Sequence, residues 1–390
     1  LMVKLSAQVW QVLISSFFVA VGINLNWLFL NFHLESLMVG RTFIGFANAV
    51  PAISTVVLGI PMGLLIPRLG YVQSLALGGG LAGFGELLVA WAPNPGIILV
   101  GLLGFGLGNV LVMGTTAPLI SALVPEVRQV LALSWQGALA MAAAFLGNLA
   151  GGFFADSLGG PRGVIYLAAI VFFMSMMPLS GVVVEATREA RRFHLQNREI
   201  WLRLLLPALC VGLGAGLVLP FLNLYLADKF YLAVAGVGML FALSSLATIG
   251  ADLLQPTLVR KLGKVGAIVV SQGTSLPLIA IIAYIPFLPL VTLALFIRTA
   301  LMNAAYPVTT SLAMEHLADE EKSTFMIAIG AVWNGGWAIS SSVSGRLQAM
   351  LGLAAFDYLF AGMLFLYGLA TYLYPRFFGM HSSEVAPSNL

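Results

Sequence analysis

GIILVGLLGFGLGNVLVMGTTAPLI, Gly96 to Ile120, runs without one charged side chain and without the apolar–polar alternation of a strand. About 20 apolar residues in a helix cross a hydrocarbon layer about 30 Å thick. A membrane β-barrel would instead show segments of about ten residues alternating in polarity, so this run predicts a transmembrane helix. Comparable runs follow one another, divided by charged or turn-rich breaks, at 8–32, 40–66, 71–92, 96–121, 128–155 and 161–183. After a charged stretch they resume at 202–227, 233–259, 265–286, 288–314, 323–347 and 355–375. The expected fold is an all-α membrane protein with twelve transmembrane helices in two six-helix bundles. Residues 1–184 form the first, 185–201 a central loop, and 202–390 the second with a short tail.

Composition agrees. Of 390 residues, 60% are hydrophobic and 8% charged, with mean hydropathy +1.00, against about 25% charged in a soluble domain. The 42 Gly and 18 Pro suit transmembrane helices, where small residues allow close approach and neighbours satisfy freed backbone groups. Cys210 is the one cysteine and reads as a small core hydrophobe. The first apolar run, Val9 to Phe32, is long enough to span and no clear small-residue cleavage site follows it, so it is expected to stay.

Thirteen of the 18 Lys and Arg fall at the chain ends and in even-numbered loops, among them Arg68, Arg128, Arg260, Lys261, Lys264 and the cluster Arg188, Arg191, Arg192 and Arg198. Arg41, Arg162, Lys229 and Arg346 lie on the other side. The positive-inside rule then predicts a multi-pass cell-membrane protein with both termini cytoplasmic. It also accounts for the net charge of +3 without a nucleic-acid partner. The basic central loop suits anionic lipid.

The two halves match at an offset of 193: Gly45 with Gly238, Gly70 with Gly263, Gly80 with Gly273, Pro93 with Pro286, Gly137 with Gly330 and Gly152 with Gly345. At an offset of 192, Phe29-Leu30-Asn31-Phe32-His33-Leu34 aligns with Phe221-Leu222-Asn223-Leu224-Tyr225-Leu226. Internal duplication of this kind is a property of transporter folds.

Gly63-Leu64-Leu65-Ile66-Pro67-Arg68-Leu69-Gly70 resembles the Gly-x-x-x-Asp-Arg-x-Gly signature of the major facilitator superfamily, with Pro67 in the acidic position. Its counterpart is Pro256 to Gly263. Gly147-Asn148-Leu149-Ala150-Gly151-Gly152 resembles the Gly-Pro-x-x-Gly-Gly core of the drug and proton antiporters, with Asn148 for the proline, and Leu102 stands where that branch places an arginine. The resemblance implies a gate at Arg68, Gly70, Arg260, Lys261 and Gly263, and a central cavity lined by helices 1, 4, 7 and 10.

Arg298 is about ten residues or more from either end of its predicted helix, too deep to snorkel to an interface. It either grips an anionic solute or pairs statically with Asp252 or backbone carbonyls. Asp252 and, second, Glu86 are the candidate proton-carrying carboxyls; the alternatives are a static partner and a packed acid. Asn24, Asn31, Asn109, Gln136, Asn223, Asn303 and Asn334, with Trp27 and Tyr306 as an apolar wall, complete the candidate substrate site; each of these residues has core packing as its alternative. The four histidines are too scattered for a metal site, and Gly78-Gly79-Gly80 lacks the Lys-Ser/Thr of a phosphate loop. No cofactor and no enzymatic activity are expected. The expected protein is a monomeric secondary transporter of a small organic, amphipathic solute, working by alternating access with proton-coupled efflux as first reading. Proton-coupled uptake of an organic anion and a lipid flippase or scramblase are the alternatives.

Overall fold

The computed structural model describes residues 5–184 and 198–379, and within the helices it leaves some side chains undescribed, Asp252 among them. Of the central loop's basic cluster, Arg188, Arg191 and Arg192 lie outside the described residues, whereas Arg198 opens a helix. The described chain is built of helices: α1 (Ala7–Ser36), α2 (Arg41–Leu69), α3 (Tyr71–Trp91), α4 (Pro95–Leu123), α5 (Glu126–Phe154), α6 (Pro161–Met174), α7 (Arg198–Val218), α8 (Leu222–Phe230), α9 (Val234–Tyr284), α10 (Leu288–His316), α11 (Asp319–Leu351) and α12 (Ala355–Phe378). Ten helical segments among the described residues are long and apolar enough to cross a membrane. Two features separate this number from the sequence count. α9 runs 51 residues, about 77 Å at 1.5 Å per residue, but Gly263 interrupts it at φ 70° and ψ 174°. It is two helices joined at a sharp bend, and of its described residues only Gln255–Tyr284 is long and apolar enough to cross, Val234–Thr248 being shorter. A single 55-residue candidate segment, Thr324–Phe378, likewise takes in both α11 and α12.

Helix starts follow local chemistry. Ser6 Oγ accepts from the Val9 N–H at 3.4 Å, and Asn94 Oδ1 accepts from Ile97 N–H at 3.1 Å with Pro95 in the first turn, which satisfies donors that a helix leaves free. α2 and α3 meet at Gly70, whose φ of 87° favours glycine.

The described residues group into two compact units. The first comprises those within Leu1–Arg192, Leu219–Ala242 and Ser341–Leu353; the second those within Phe193–Val218, Leu243–Ser340 and Ala354–Leu390. In the first, Val9, Leu13, Leu75, Phe105, Leu119 and Phe172 form one buried cluster. In the second, Trp201 packs edge-on against Phe325. There Trp333 and Trp337 stack at 5.2 Å, with their backbone against Gly212 and Gly216 of α7.

Candidate functional site

A reciprocal polar contact lies in the first unit, near the turn from α1 to α2. Asn31 donates from Nδ2 to the Pro220 carbonyl and, at 3.2 Å, to Asn223 Oδ1. Asn223 Nδ2 donates to the Leu28 carbonyl at 2.6 Å. Positions 28 and 31 become 220 and 223 when 192 is added, so the Asn31–Pro220 and Asn223–Leu28 bonds are one bond made twice in opposite directions. That is the pattern of a two-fold axis. Asn48 Nδ2 adds a bond to Asn31 Oδ1 at 2.7 Å. Both Asn31 and Asn223 are buried.

Two helix crossings repeat the symmetry. Gly45 of α2 meets Gly345 of α11, and Gly238 of α9 meets Gly152 of α5. A Cβ on Gly45 would stand 2.5 Å from the Ser341 carbonyl oxygen and 2.9 Å from Gly345 Cα. One on Gly238 would stand 2.7 Å from the Asn148 carbonyl oxygen and 2.8 Å from Gly152 Cα. Ser341 and Asn148 are again 193 apart. Beside these contacts Arg41 bridges Glu35 at 2.5 Å and Asp228 at 2.9 Å, two acids 193 apart, and reaches Gln348 Oε1 at 3.4 Å. Partly exposed ion pairs contribute about 0–1 kcal/mol. The seam is therefore held mainly by buried amide bonds and backbone contact. A cavity of about 490 Å³ adjoins the α2–α11 crossing, lined by Val39, Thr42, Phe43, Phe46, Ser342, Val343 and Arg346.

The other expected substrate residues divide between the units. In the first, Asn24 donates to the Ala20 carbonyl of its own helix at 2.8 Å, and Trp27, 40% exposed, meets Phe241 edge-on at 5.5 Å. Asn109 Oδ1 is buried with no partner among the described residues, and Gln136 is half-buried on α5. In the second, Asn303 and Tyr306 are exposed on α10, and Asn334 donates to the Gly330 carbonyl. Arg298 is buried; its Nη2 donates to Tyr367 Oη at 3.1 Å, and its guanidinium carbon lies 5.7 Å from that ring's centre. The side chain of Asp252, the side-chain partner expected from sequence, is outside the described residues.

Glu86 is fully buried on α3. Its Oε1 accepts from Asn26 Nδ2 at 2.7 Å, and its Oε2 has no partner among the described residues. Of the expected gate residues, Arg68, Arg260 and Lys261 are exposed and Gly70 and Gly263 make the turns. Among the described residues Arg260 donates to Thr257 Oγ1 at 3.2 Å, while nearby Lys264 pairs with Glu315 and donates to Ser311 Oγ at 2.6 Å.

Sequence reasoning passed over Asn48, Glu35, Asp228, Gln348 and Tyr367. Glu35 and Asp228 carried a readable signal, two acids at the repeat offset. Tyr367 had none, since one tyrosine on an apolar helix is unremarkable until α10 is set beside it.

Helices long and apolar enough to cross a membrane, ten segments among the described residues, define a polytopic membrane protein. The chain belongs to the Major Facilitator Superfamily, whose sequence pattern it matches over residues 12–341. Among solved structures it is similar to a single-residue variant of the nucleoside transporter NupG, with TM-score 0.80 and 11% identity over 95% of this chain and 100% of that one. It is also similar to a bacterial homolog of the human lysosomal transporter Spinster in an inward-facing, occupied conformation, with TM-score 0.78 and 12% identity over 94% and 95%. The D-xylose–proton symporter gives 0.73 and 13% over 94% and 95%. No curated protein sequence matches the chain.

Proposed function

We propose that this protein is a twelve-crossing secondary transporter with both termini in the cytoplasm, moving a small organic, amphipathic solute outward in exchange for protons. The reciprocal seam carries the reading. With the positive-inside orientation, the α1–α2 turn, the α8–α9 turn and the end of α11 face outward. Asn31 with Asn223, Gly45 with Gly345, and Gly152 with Gly238 then form the closed outer gate. Alternating access needs such contacts to form and break between repeats. An inward-facing Spinster homolog, nucleoside and sugar transporters and bacterial metal transporters share the fold, so the choice of an organic solute rests on the amides and aromatic side chains of the candidate site. Trp27 in the first unit and Tyr306 in the second are exposed aromatic side chains, Arg298 with Tyr367 is a buried polar pair of the second, and Asp252 and Glu86 remain the candidate carboxyls.

The test begins with thermal unfolding of purified protein against nucleosides, sugars and amphipathic cations and anions. A solute bound at 100 times its Kd stabilises the fold by about 2.7 kcal/mol. Hits are then followed as radiolabelled flux in proteoliposomes with and without an imposed pH gradient. Flux that accumulates against its gradient only when protons flow supports the reading. Movement of lipid reporters in the absence of any gradient, with no solute flux, would overturn it.

A further inference from the structure

We propose that Glu86, held by Asn26, is a proton-binding site that controls whether α1 stays docked on the outer seam. The inference rests on the transporter reading above and assigns its coupling proton to the first unit.

Glu86 makes one hydrogen bond, from a neutral amide, and its second oxygen has no partner among the described residues. α1, α2, α4 and α6 pack on α3. From α1 come His33, whose Nε2 lies 3.2 Å from the Val89 carbonyl and whose Nδ1 has no described partner, and Glu35 at the helix end. From α6 come Arg162, which donates to the Ala90 carbonyl at 2.8 Å, and Tyr166. α2 contributes Arg41 and Arg68 near its ends, Tyr71 opens α3, and α4 has no ionisable side chain. None forms an ion pair with Glu86 among the described residues. An ionised carboxylate enclosed in this way would lack a counter-ion, and a single amide N–H occupies one of its roughly four acceptor sites. The arrangement fits a carboxylic acid that has its proton.

α1 links this acid to the seam. Asn26 and His33 are seven residues apart and share the face turned to α3. Leu28, whose carbonyl accepts from Asn223, and Asn31 lie two and five residues beyond Asn26, within about 7.5 Å along the axis at 1.5 Å per residue. Losing the proton breaks the Glu86 O–H bond and passes the proton to water, and the carboxylate left behind needs water for itself. Water enters only if α1 moves off α3, and that movement carries Leu28 and Asn31 away from Asn223 and Pro220. Proton bound, the seam closes; proton released, it opens.

The test needs no transported solute. Spin labels replace Met38 and Met350, exposed positions flanking the seam, in a Cys210→Ala background, and their distance distribution is recorded across pH in lipid nanodiscs. The expected result is a long-distance population growing at least about tenfold relative to the short one as pH rises. In Glu86→Gln, which keeps the acceptor for Asn26 but stays neutral, the short distance should persist at every pH. Glu86→Asp should restore the pH dependence with a displaced midpoint. Glu35 and Asp228, the carboxylates at the seam itself, are untouched by these variants, so unchanged pH dependence in Glu86→Gln would overturn the proposal. So would an unmodified protein whose distances ignore pH. If Glu86→Gln does not fold, infrared spectra of the unmodified protein and Glu86→Asp decide. A protonated-carboxyl band that is displaced in the Asp variant and disappears as the seam opens supports the proposal, and its absence refutes it. Proton-driven solute flux with no pH-linked seam counts against Glu86 alone. A pH-linked seam with no solute flux counts against the transport reading alone.

Discussion

Replacing Gly45 by Ala should push the outer seam open without disturbing either helix by itself. The added Cβ would lie 2.5 Å from the Ser341 carbonyl oxygen and 2.9 Å from Gly345 Cα, where carbon contacts are comfortable at about 3.5–4.0 Å. Both neighbours are backbone, so no side chain can rotate away, and α2 and α11 must part by about 1 Å. Overpacking of this kind costs about 1–3 kcal/mol, borne only by the state in which the crossing is made. The outer-open population should therefore rise by about 5–150-fold. Asn24 lies on the Asn31 face of α1, seven residues and two turns back, and serves as reporter. In a Cys210→Ala background, Asn24→Cys is labelled at fixed pH by a maleimide that cannot cross the membrane, and the rate is compared with and without Gly45→Ala. Gly238→Ala, the repeat-related change, should accelerate labelling to a similar degree. Labelling that stays within about twofold of the parent in both variants, with thermal stability and expression unchanged, would refute the reasoning, because an effect that small lies below the lower end of the coupling expected.

Arg41→Gln should open the same seam far less, by about fivefold at most, since its pairs with Glu35 and Asp228 are partly exposed; raising salt on the unmodified protein should mimic it in the labelling assay. Asn31→Leu and Asn223→Leu should each lower stability by about 1–3 kcal/mol, because each strands buried partners. The double variant should lose less than the sum in thermal unfolding, as expected of residues in direct contact. Tyr367→Phe keeps the ring against Arg298 but removes the hydroxyl that accepts from it. It should cost about 1–3 kcal/mol of stability, and a ligand that supplies an acceptor to Arg298 should recover part of that in the thermal screen.

Most of the helical architecture was legible because hydrophobicity along a chain is a one-dimensional quantity. The run from Gly96 to Ile120 became α4, and the breaks near Gly70 and Gly263 became bends with positive φ. Less of the site was legible. Asn31 and Asn223 were chosen as amides at lipid depth, yet that criterion applies equally to Asn24 and Asn334, which bond within their own helices. Separating the two kinds requires the neighbouring helix. Glu86 stood second to Asp252, and nothing local to Glu86 announced Asn26, 60 residues earlier. Arg41, assigned to an outward loop by charge counting, proved to join three partners brought in from α1, α8 and α11.

By itself the sequence determined that lipid is the solvent, that helices fill it, and that the second half repeats the first at an offset of 192 to 193. Composition and periodicity suffice for these, since none depends on which segment touches which. Only the tertiary structure decided how the repeats meet. Alignment couples Gly45 with Gly238 and Gly152 with Gly345, but the helices cross as Gly45 with Gly345 and Gly152 with Gly238. Asn31 and Asn223 alone among these touch their own counterparts. Residues near a two-fold axis meet their equivalents, whereas those away from it meet something else, and where that axis passes is a property of packed helices that no linear repeat contains.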